Sequence, residues 1–354
     1  VILYRGRRAL EVSNQHLTVT VTREGGHIAR ILHHDTGVNP LWSPPWPTIE
    51  PSSYDPALHS QYGSGAEAQL LAGILGHNLC LDLFGPPSPA EAAAGLTVHG
   101  EASVGIYDLS VSGNTLSQQL FLPGADLFFT RHLELLTDIV RITETVENRN
   151  CYDRPSAWTQ HVTLGPPFIE RGVTQFRAPA TRSKVFETDF AQGKGFQVIA
   201  AEFDWPFCPR TGGGVLDLRV FESAPVSAGF TTHLLDPDRE QAFFLAWNPN
   251  SQLLFGYVWS RADFPWLGRW EENCARHSPP WSGNTIALGM EFGASPMPEP
   301  RRAMIERGGL FGAPGYRWLP ARQSVTVTYC AFARRSTSLP EAVSWDGAST
   351  LHFH

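Results

Sequence analysis

Leu17-Thr18-Val19-Thr20-Val21-Thr22 alternates apolar and polar residues at a period of two, the pattern of a strand with one buried face. The same texture returns over residues 104–111, 115–122, 128–136 and 139–146, with turn signals at Gly113-Asn114, Pro123-Gly124 and Thr137-Asp138. This run predicts an antiparallel meander. Strands are expected again over 215–221, 241–247, 253–259, 285–292 and 324–333. Within the last, Val325-Thr326-Val327-Thr328-Tyr329 alternates well and predicts a final strand inside a sheet. Helical signals are few. Residues 66–75 form a short apolar stretch, 89–94 follow Ser88 with Glu91 in a capping-box pattern, and 300–307 stop at Gly308-Gly309. Many strands and few helices predict sheet packed on sheet, an all-β fold built as a large antiparallel β-sandwich with a few short helices. The stretch 40–64 is rich in Pro and Ser but carries Trp42, Trp46, Tyr54 and Tyr62, which solvated linkers avoid. It is expected to be a long ordered loop against the sandwich rim.

Composition narrows this picture. Charged residues make up 17% of the 354, with 32 Gly and 28 Pro, as suits a turn-rich β protein and not a disordered chain. The length allows one large or two ordinary domains, and the chain reads as a single domain over 1–354. Net charge is -7, and arginines cluster only at Arg5/Arg7/Arg8, Arg301/Arg302 and Arg334/Arg335. That is no basic stripe, so nucleic acid is not an expected partner. Five cysteines without CxxC pairing predict free thiols in a reducing compartment, with Cys80 and Cys330 buried. The start lacks the features of a secretory signal, and no apolar run approaches the ~20 residues needed to span a bilayer. A cytoplasmic protein without membrane association is the expectation.

Three residues carry the candidate chemistry: His99, His161 and Glu291, each in a segment that reads as a strand or its edge. Two imidazoles and a carboxylate on a β scaffold suit proton shuttling on a hydroxyl-rich substrate. Trp158 and His161 are three apart, so in a strand they face opposite sides. Glu291 lies in the apolar run Ile286-Ala287-Leu288-Gly289-Met290-Glu291-Phe292, where burial is costly unless the carboxylate is paired or functional. Such burial would raise its pKa toward the range of a useful base. Gly100 beside His99 marks a close approach. The plainer readings are core or surface histidines and a strand-end glutamate facing solvent. The chain holds no HExxH, Walker loop or GxGxxG. Gly212-Gly213-Gly214 precedes a strand and cradles no phosphate.

The order and flanks of these residues resemble the aldose 1-epimerase (galactose mutarotase-like) family. The resemblance rests on Glu147-Asn148 followed by Trp158-x-x-His161-x-x-x-Gly165, on His99-Gly100 after the segment Gly76-His77-Asn78-Leu79, and on Gly289-x-Glu291-Phe292 before Ser295-Pro296. It implies a galactose mutarotase-like supersandwich with a carbohydrate-binding groove on one sheet, and interconversion of sugar anomers by acid/base ring opening. Glu291 would take the proton of the anomeric hydroxyl and His161 would protonate the ring oxygen. His99 would hold a hydroxyl or the ring oxygen. His77, Asn78, Arg269 and Trp270 would contact the sugar, Trp270 by stacking on its C–H face. No cofactor and no metal are implied, although His77, His99 and His161 could in principle share an ion. Two departures stand out. Asp82 replaces a Pro found in many relatives. Residues 228–235 offer Thr231, Thr232 and His233 where relatives grip sugar hydroxyls with an acid, and no carboxylate comes before Asp236. The alternatives are a non-catalytic carbohydrate-binding protein of the same fold, or a lyase or glycoside hydrolase relative. A hydrolase needs two carboxylates, and Glu291 with Glu271 or Glu101 are the candidates. A phosphorylated sugar would call on Arg269 or Arg276.

Overall fold

The computed structural model describes residues 1–189 and 193–354. Strands of the first half are β1 (Ile2–Tyr4), β2 (Arg7–Ser13), β3 (Leu17–Thr22), β4 (Ile28–His33), β5 (His77–Leu81), β6 (Asp108–Ser112), β7 (Thr115–Leu122), β8 (Leu127–Leu135), β9 (Ile139–Asn148) and β10 (Trp158–Leu164). Then follow β11 (Gln175–Arg177), β12 (Ala180–Val185), β13 (Glu202–Asp204), β14 (Ser227–Leu235), β15 (Gln241–Asn248), β16 (Leu253–Ser260), β17 (Trp266–Asn273), β18 (Ile286–Gly293) and β19 (Ser324–Arg335). Eleven form one antiparallel sheet in the order β1-β2-β3-β4-β5-β10-β18-β17-β14-β12-β13, and eight form a second in the order β11-β15-β16-β19-β9-β8-β7-β6.

The two sheets share one apolar layer. Trp158, Val162, Leu288, Met290 and Phe292 of the first sheet pack with Phe129, Phe244, Tyr257 and Tyr329 of the second. Alternation then sends Thr159, His161 and Thr163, and likewise Gly289 and Glu291, to the opposite face of the first sheet. The odd spacing of Trp158 and His161 therefore divides them as expected.

A polar knot lies inside the apolar layer. Glu144 of β9 accepts from Arg131 Nε at 2.7 Å, Trp158 Nε1 at 2.9 Å, Gln160 Nε2 at 2.6 Å and Tyr329 Oη at 2.7 Å. Arg131 and Glu144 are both fully buried. Four donors satisfy the carboxylate, which is what makes its burial tolerable.

The helices sit near their expected places. α1 (Ala68–Gly73) is short and buried. α2 (Pro89–Ala93) carries the reciprocal Ser88–Glu91 capping box, and α3 (Arg301–Arg307) ends at Gly308 with a φ of 68°. The aromatic loop does pack: Trp42, Trp46 and Tyr62 are buried with Trp281 against α1.

Some expected strands are shorter. Residues 101–103 form a 3-10 turn, so the strand expected from 104 starts at Asp108. Of 215–221 only Val215–Asp217 is extended, paired with Phe207–Pro209 in a small hairpin. His99 is not in a strand. It occupies a turn with φ 67°, followed by Gly100 at φ 76°. Cys80, Cys208 and Cys330 are buried free thiols. Among the described residues, no helix is long and apolar enough to cross a membrane.

Candidate active site

β5, β10, β18 and β17 lie side by side, and their register brings one row of residues into line. His161 stands opposite Glu291 on one side and Asn78 on the other, and Glu291 stands opposite Gly268. Histidine and glutamate distant in sequence thus become cross-strand neighbours. His161 Nε2 lies 3.1 Å from Glu291 Oε1. Their side chains are 8% and 2% exposed, so the pair meets in a nearly dry place. Glu291 Oε1 has no aligned hydrogen-bond partner among the described residues, which leaves that oxygen open to a substrate.

Gly289 makes room for this carboxylate. A Cβ there would come 2.3 Å from Glu291 Oε1, so the Gly-x-Glu spacing has a steric reason. His161 is oriented from its far side by Thr163, whose hydroxyl shares a hydrogen bond with Nδ1 at 3.0 Å. Thr163 was not singled out from sequence. Its signal is a polar residue two positions on, hence on the same strand face.

Burial without a cationic partner pushes the Glu291 carboxyl up to about 8. Burial first, and then neighbouring His99, drives the His161 imidazole well below its ordinary range. At neutral pH these directions leave one proton on the pair, resting on the Glu291 carboxyl with the His161 ring neutral.

His99 enters from the turn above, its ring centroid 4.7 Å from that of His161. Its Nδ1 donates to the Phe84 carbonyl at 2.5 Å. Burial holds the ring down to about 4, hence neutral, with a lone pair on Nε2. A neutral ring of this tautomer accepts a hydrogen bond at Nε2 and has no proton there to give a ring oxygen. The left-handed backbone at a non-glycine residue is the kind of strain that collects at functional sites.

Above this floor opens a groove of about 410 Å³. His99, His161, Glu291 and Trp270 line it, the Trp270 ring 6.0 Å from that of His161. One wall is Leu70, Leu71, Ile74, Val98 and Trp281, and another includes Phe186, Phe230 and Pro298. The apolar walls were not foreseen from sequence. Their only trace there is the short apolar run around α1.

Other sequence-chosen residues lie elsewhere. His77 points into the sandwich core, bonded through Nε2 to Gln160 Oε1 at 2.9 Å and through Nδ1 to Tyr257 Oη at 2.9 Å. It is one residue from the groove-facing row, and one residue in a strand reverses the face. For the same reason His77, His99 and His161 do not converge on an ion. Arg269 also lies on the reverse face of β17, one residue from Trp270. It pairs with Glu271 at 2.9 Å, and neither residue lines the groove. Asn78 shares the row of His161 but is fully buried, its Nδ2 without a partner among the described residues. Glu101 is occupied by the backbone N–H groups of Gly124 and Ala125. Neither proposed hydrolase partner of Glu291 faces the groove. Thr232 stands in register with Gly268 but is fully buried.

No protein-family profile matches the chain, and no curated protein matches it. Solved structures do. A provisionally assigned aldose 1-epimerase from Klebsiella pneumoniae superposes with a TM-score of 0.68 at 15% identity, over 95% of this chain and 82% of that one. The fold is that of the galactose mutarotase-like proteins. A galactose mutarotase-like protein from Clostridium acetobutylicum gives 0.62 at 11% identity, over 95% of this chain and 97% of that one. A galactose mutarotase related enzyme from Lactobacillus acidophilus gives 0.60 at 10%, over 93% and 98%. The mutarotase-like sandwich is thus similar along nearly the whole chain, at identities that speak for fold alone.

Proposed function

We propose that residues 1–354 act as one carbohydrate-active unit, an aldose 1-epimerase-like enzyme that interconverts sugar anomers in the groove above His161 and Glu291. The observation that carries this reading is the buried His161–Glu291 contact at 3.1 Å, a matched acid and base under a cleft. The proton of Glu291 first passes to His161 across their 3.1 Å contact, and the Glu291 carboxylate so formed removes the proton of the anomeric hydroxyl. The bond from the anomeric carbon to the ring oxygen breaks, its electron pair goes to the ring oxygen, and that oxygen takes a proton from His161. The open aldehyde turns about its bond to the neighbouring carbon and re-closes by the reverse steps. Atoms and charge balance with no cofactor. His99 accepts a hydrogen bond from a sugar hydroxyl at Nε2. Trp270 offers its face to the ring C–H groups.

A binding protein that performs no chemistry is the second reading, favoured by the absence of a groove-facing carboxylate at Thr232. NMR with a panel of reducing aldoses separates the two. Exchange between anomers faster than in buffer, abolished in His161→Ala, supports catalysis. Saturable binding with no added exchange for any sugar supports the binding protein and overturns the enzyme.

A further inference from the structure

The groove is built for a substrate less polar than a free hexose. Every buried hydroxyl of a hexose wants a partner, and the groove offers few. His99 Nε2, His161 and Glu291 cluster at one point on the floor. Of the other charged lining residues, Glu299 is held by Arg307 at 2.8 Å, and Arg276 lies between Glu67 at 3.8 Å and Glu272 at 3.4 Å. Thr232 is buried, and its Oγ1 finds no partner among the described residues. A Cβ on the adjacent Gly268 would come 2.9 Å from the Phe230 ring, so an aromatic edge lies over the sheet beside Thr232. The sheet face at Thr232 is thus under apolar cover.

Apart from Thr188 and the charged Glu67, Arg276 and Glu299, the rest of the groove lining is apolar. Leu70, Leu71, Ile74, Val98 and Trp281 form a continuous wall that can donate or accept nothing except at one indole N–H. That N–H of Trp281 is itself buried. A volume of about 410 Å³ exceeds what one pyranose fills. Charge points the same way: Arg276, with Glu67 and Glu272 beside it, is a poor phosphate site.

On the epimerase reading above, we infer that the substrate is a neutral reducing sugar carrying an apolar substituent, with the sugar over His161 and Glu291 and the substituent on the Leu70–Leu71–Ile74–Val98–Trp281 wall. A reducing sugar is required because the anomeric hydroxyl must be free. The substituent therefore sits on another ring position, as an ether or ester of aryl or alkyl type.

The test compares anomer exchange by NMR for D-glucose and D-galactose, their monophosphates, lactose and maltose, and the mono-O-benzyl ethers of both hexoses. At least one benzyl ether is expected to exceed its parent hexose in kcat/KM by about tenfold or more, through a lower KM. Val98→Asn is expected to shrink that ratio. A parent hexose, a phosphate or a disaccharide that equals or beats every benzyl ether overturns the inference and leaves the epimerase reading standing. Binding without chemistry is read with benzyl-substituted anhydroglucitol, which has no anomeric hydroxyl, against anhydroglucitol itself. Tighter binding of the benzyl compound with no exchange of any sugar supports the apolar subsite and sinks the epimerase reading. Equal binding overturns the subsite whatever the exchange rates.

Discussion

The one proton that Glu291 and His161 carry at neutral pH sets the behaviour of the site at the scale of single residues. The reaction needs one proton on the pair: with none there is no acid, and with two there is no base. Glu291 is pushed up to about 8 and His161 well below its ordinary range, so the singly protonated pair spans neutrality. kcat/KM is expected to be flat near neutral pH and to fall as pH rises through about 8, read from a pH–rate profile. A profile still rising beyond that point would contradict the assignment. The same burial makes a stability prediction. Between the ordinary glutamate pKa and about 8 the folded chain binds more protons than the unfolded one, so Glu291 costs stability as pH rises across that window. Glu291→Gln is therefore expected to unfold at a higher temperature than the wild type at pH 9, with the gap shrinking toward pH 5. The difference accrues at up to about 1.4 kcal/mol per pH unit. Gly289→Ala is expected to keep the fold and lower kcat by roughly tenfold to a hundredfold, because its methyl displaces a carboxylate that must be placed to within ~0.5 Å. A kinetic assay beside a melting curve separates that effect from unfolding.

At the scale of elements, the end of β5 shows how a residue with left-handed backbone is held in place. Asp82 adopts φ 68° and donates its N–H to the Ala157 carbonyl. Its carboxylate accepts from Arg154 Nε and Nη2 at 2.8 and 2.6 Å and from Arg301 Nη1 at 2.6 Å. That ties the strand end to α3, and the segment 298–300 just before α3 lines the groove. A proline at this position should therefore harm the chain. Asp82→Pro fixes φ with the wrong sign, removes the N–H and strips both arginines, a loss on the order of 3 kcal/mol in denaturant unfolding. An unchanged unfolding midpoint would contradict this account. The element scale is also where sequence reading did best and worst. Alternating strands such as Leu17–Thr22 were legible because one face is buried and the other is not. β14, from Ser227 to Leu235, is buried at every position and shows no alternation, so it could not be recognised by period. Trp158 and His161 were separable by parity alone. His77 against Asn78 and Arg269 against Trp270 were not, because parity fixes only alternation. Which member faces the groove depends on strand neighbours far away in the chain.

At the scale of the whole molecule, the His161–Glu291 row is held by a sheet whose other face is anchored through Glu144. That carboxylate joins the two sheets by accepting from Trp158 and Gln160 of β10, the strand that carries His161. Removing it strands the buried Arg131 guanidinium. Glu144→Ala is expected to cost about 3–5 kcal/mol of stability, measured by chemical denaturation. A neutral effect would mean that the knot is not the joint between the layers. The sandwich could be inferred from strand count and the scarcity of helices, and the resemblance implied a groove on one sheet. The character of the groove could not be inferred that way. Its walls come from α1, the turn before His99, Trp281 and the segment before α3, which meet only in the folded chain.

The proposed chemistry is that the His161–Glu291 pair moves protons on an anomeric centre. Its most direct test is two-dimensional exchange NMR on a bound reducing sugar at neutral pH, wild type beside Glu291→Gln. Cross-peaks between the α and β anomeric protons are expected to grow with wild-type concentration. In the variant they should drop by about a hundredfold or more while the sugar still binds. Equal exchange in both proteins, or binding without exchange in the wild type across free and benzyl-substituted aldoses, would contradict it.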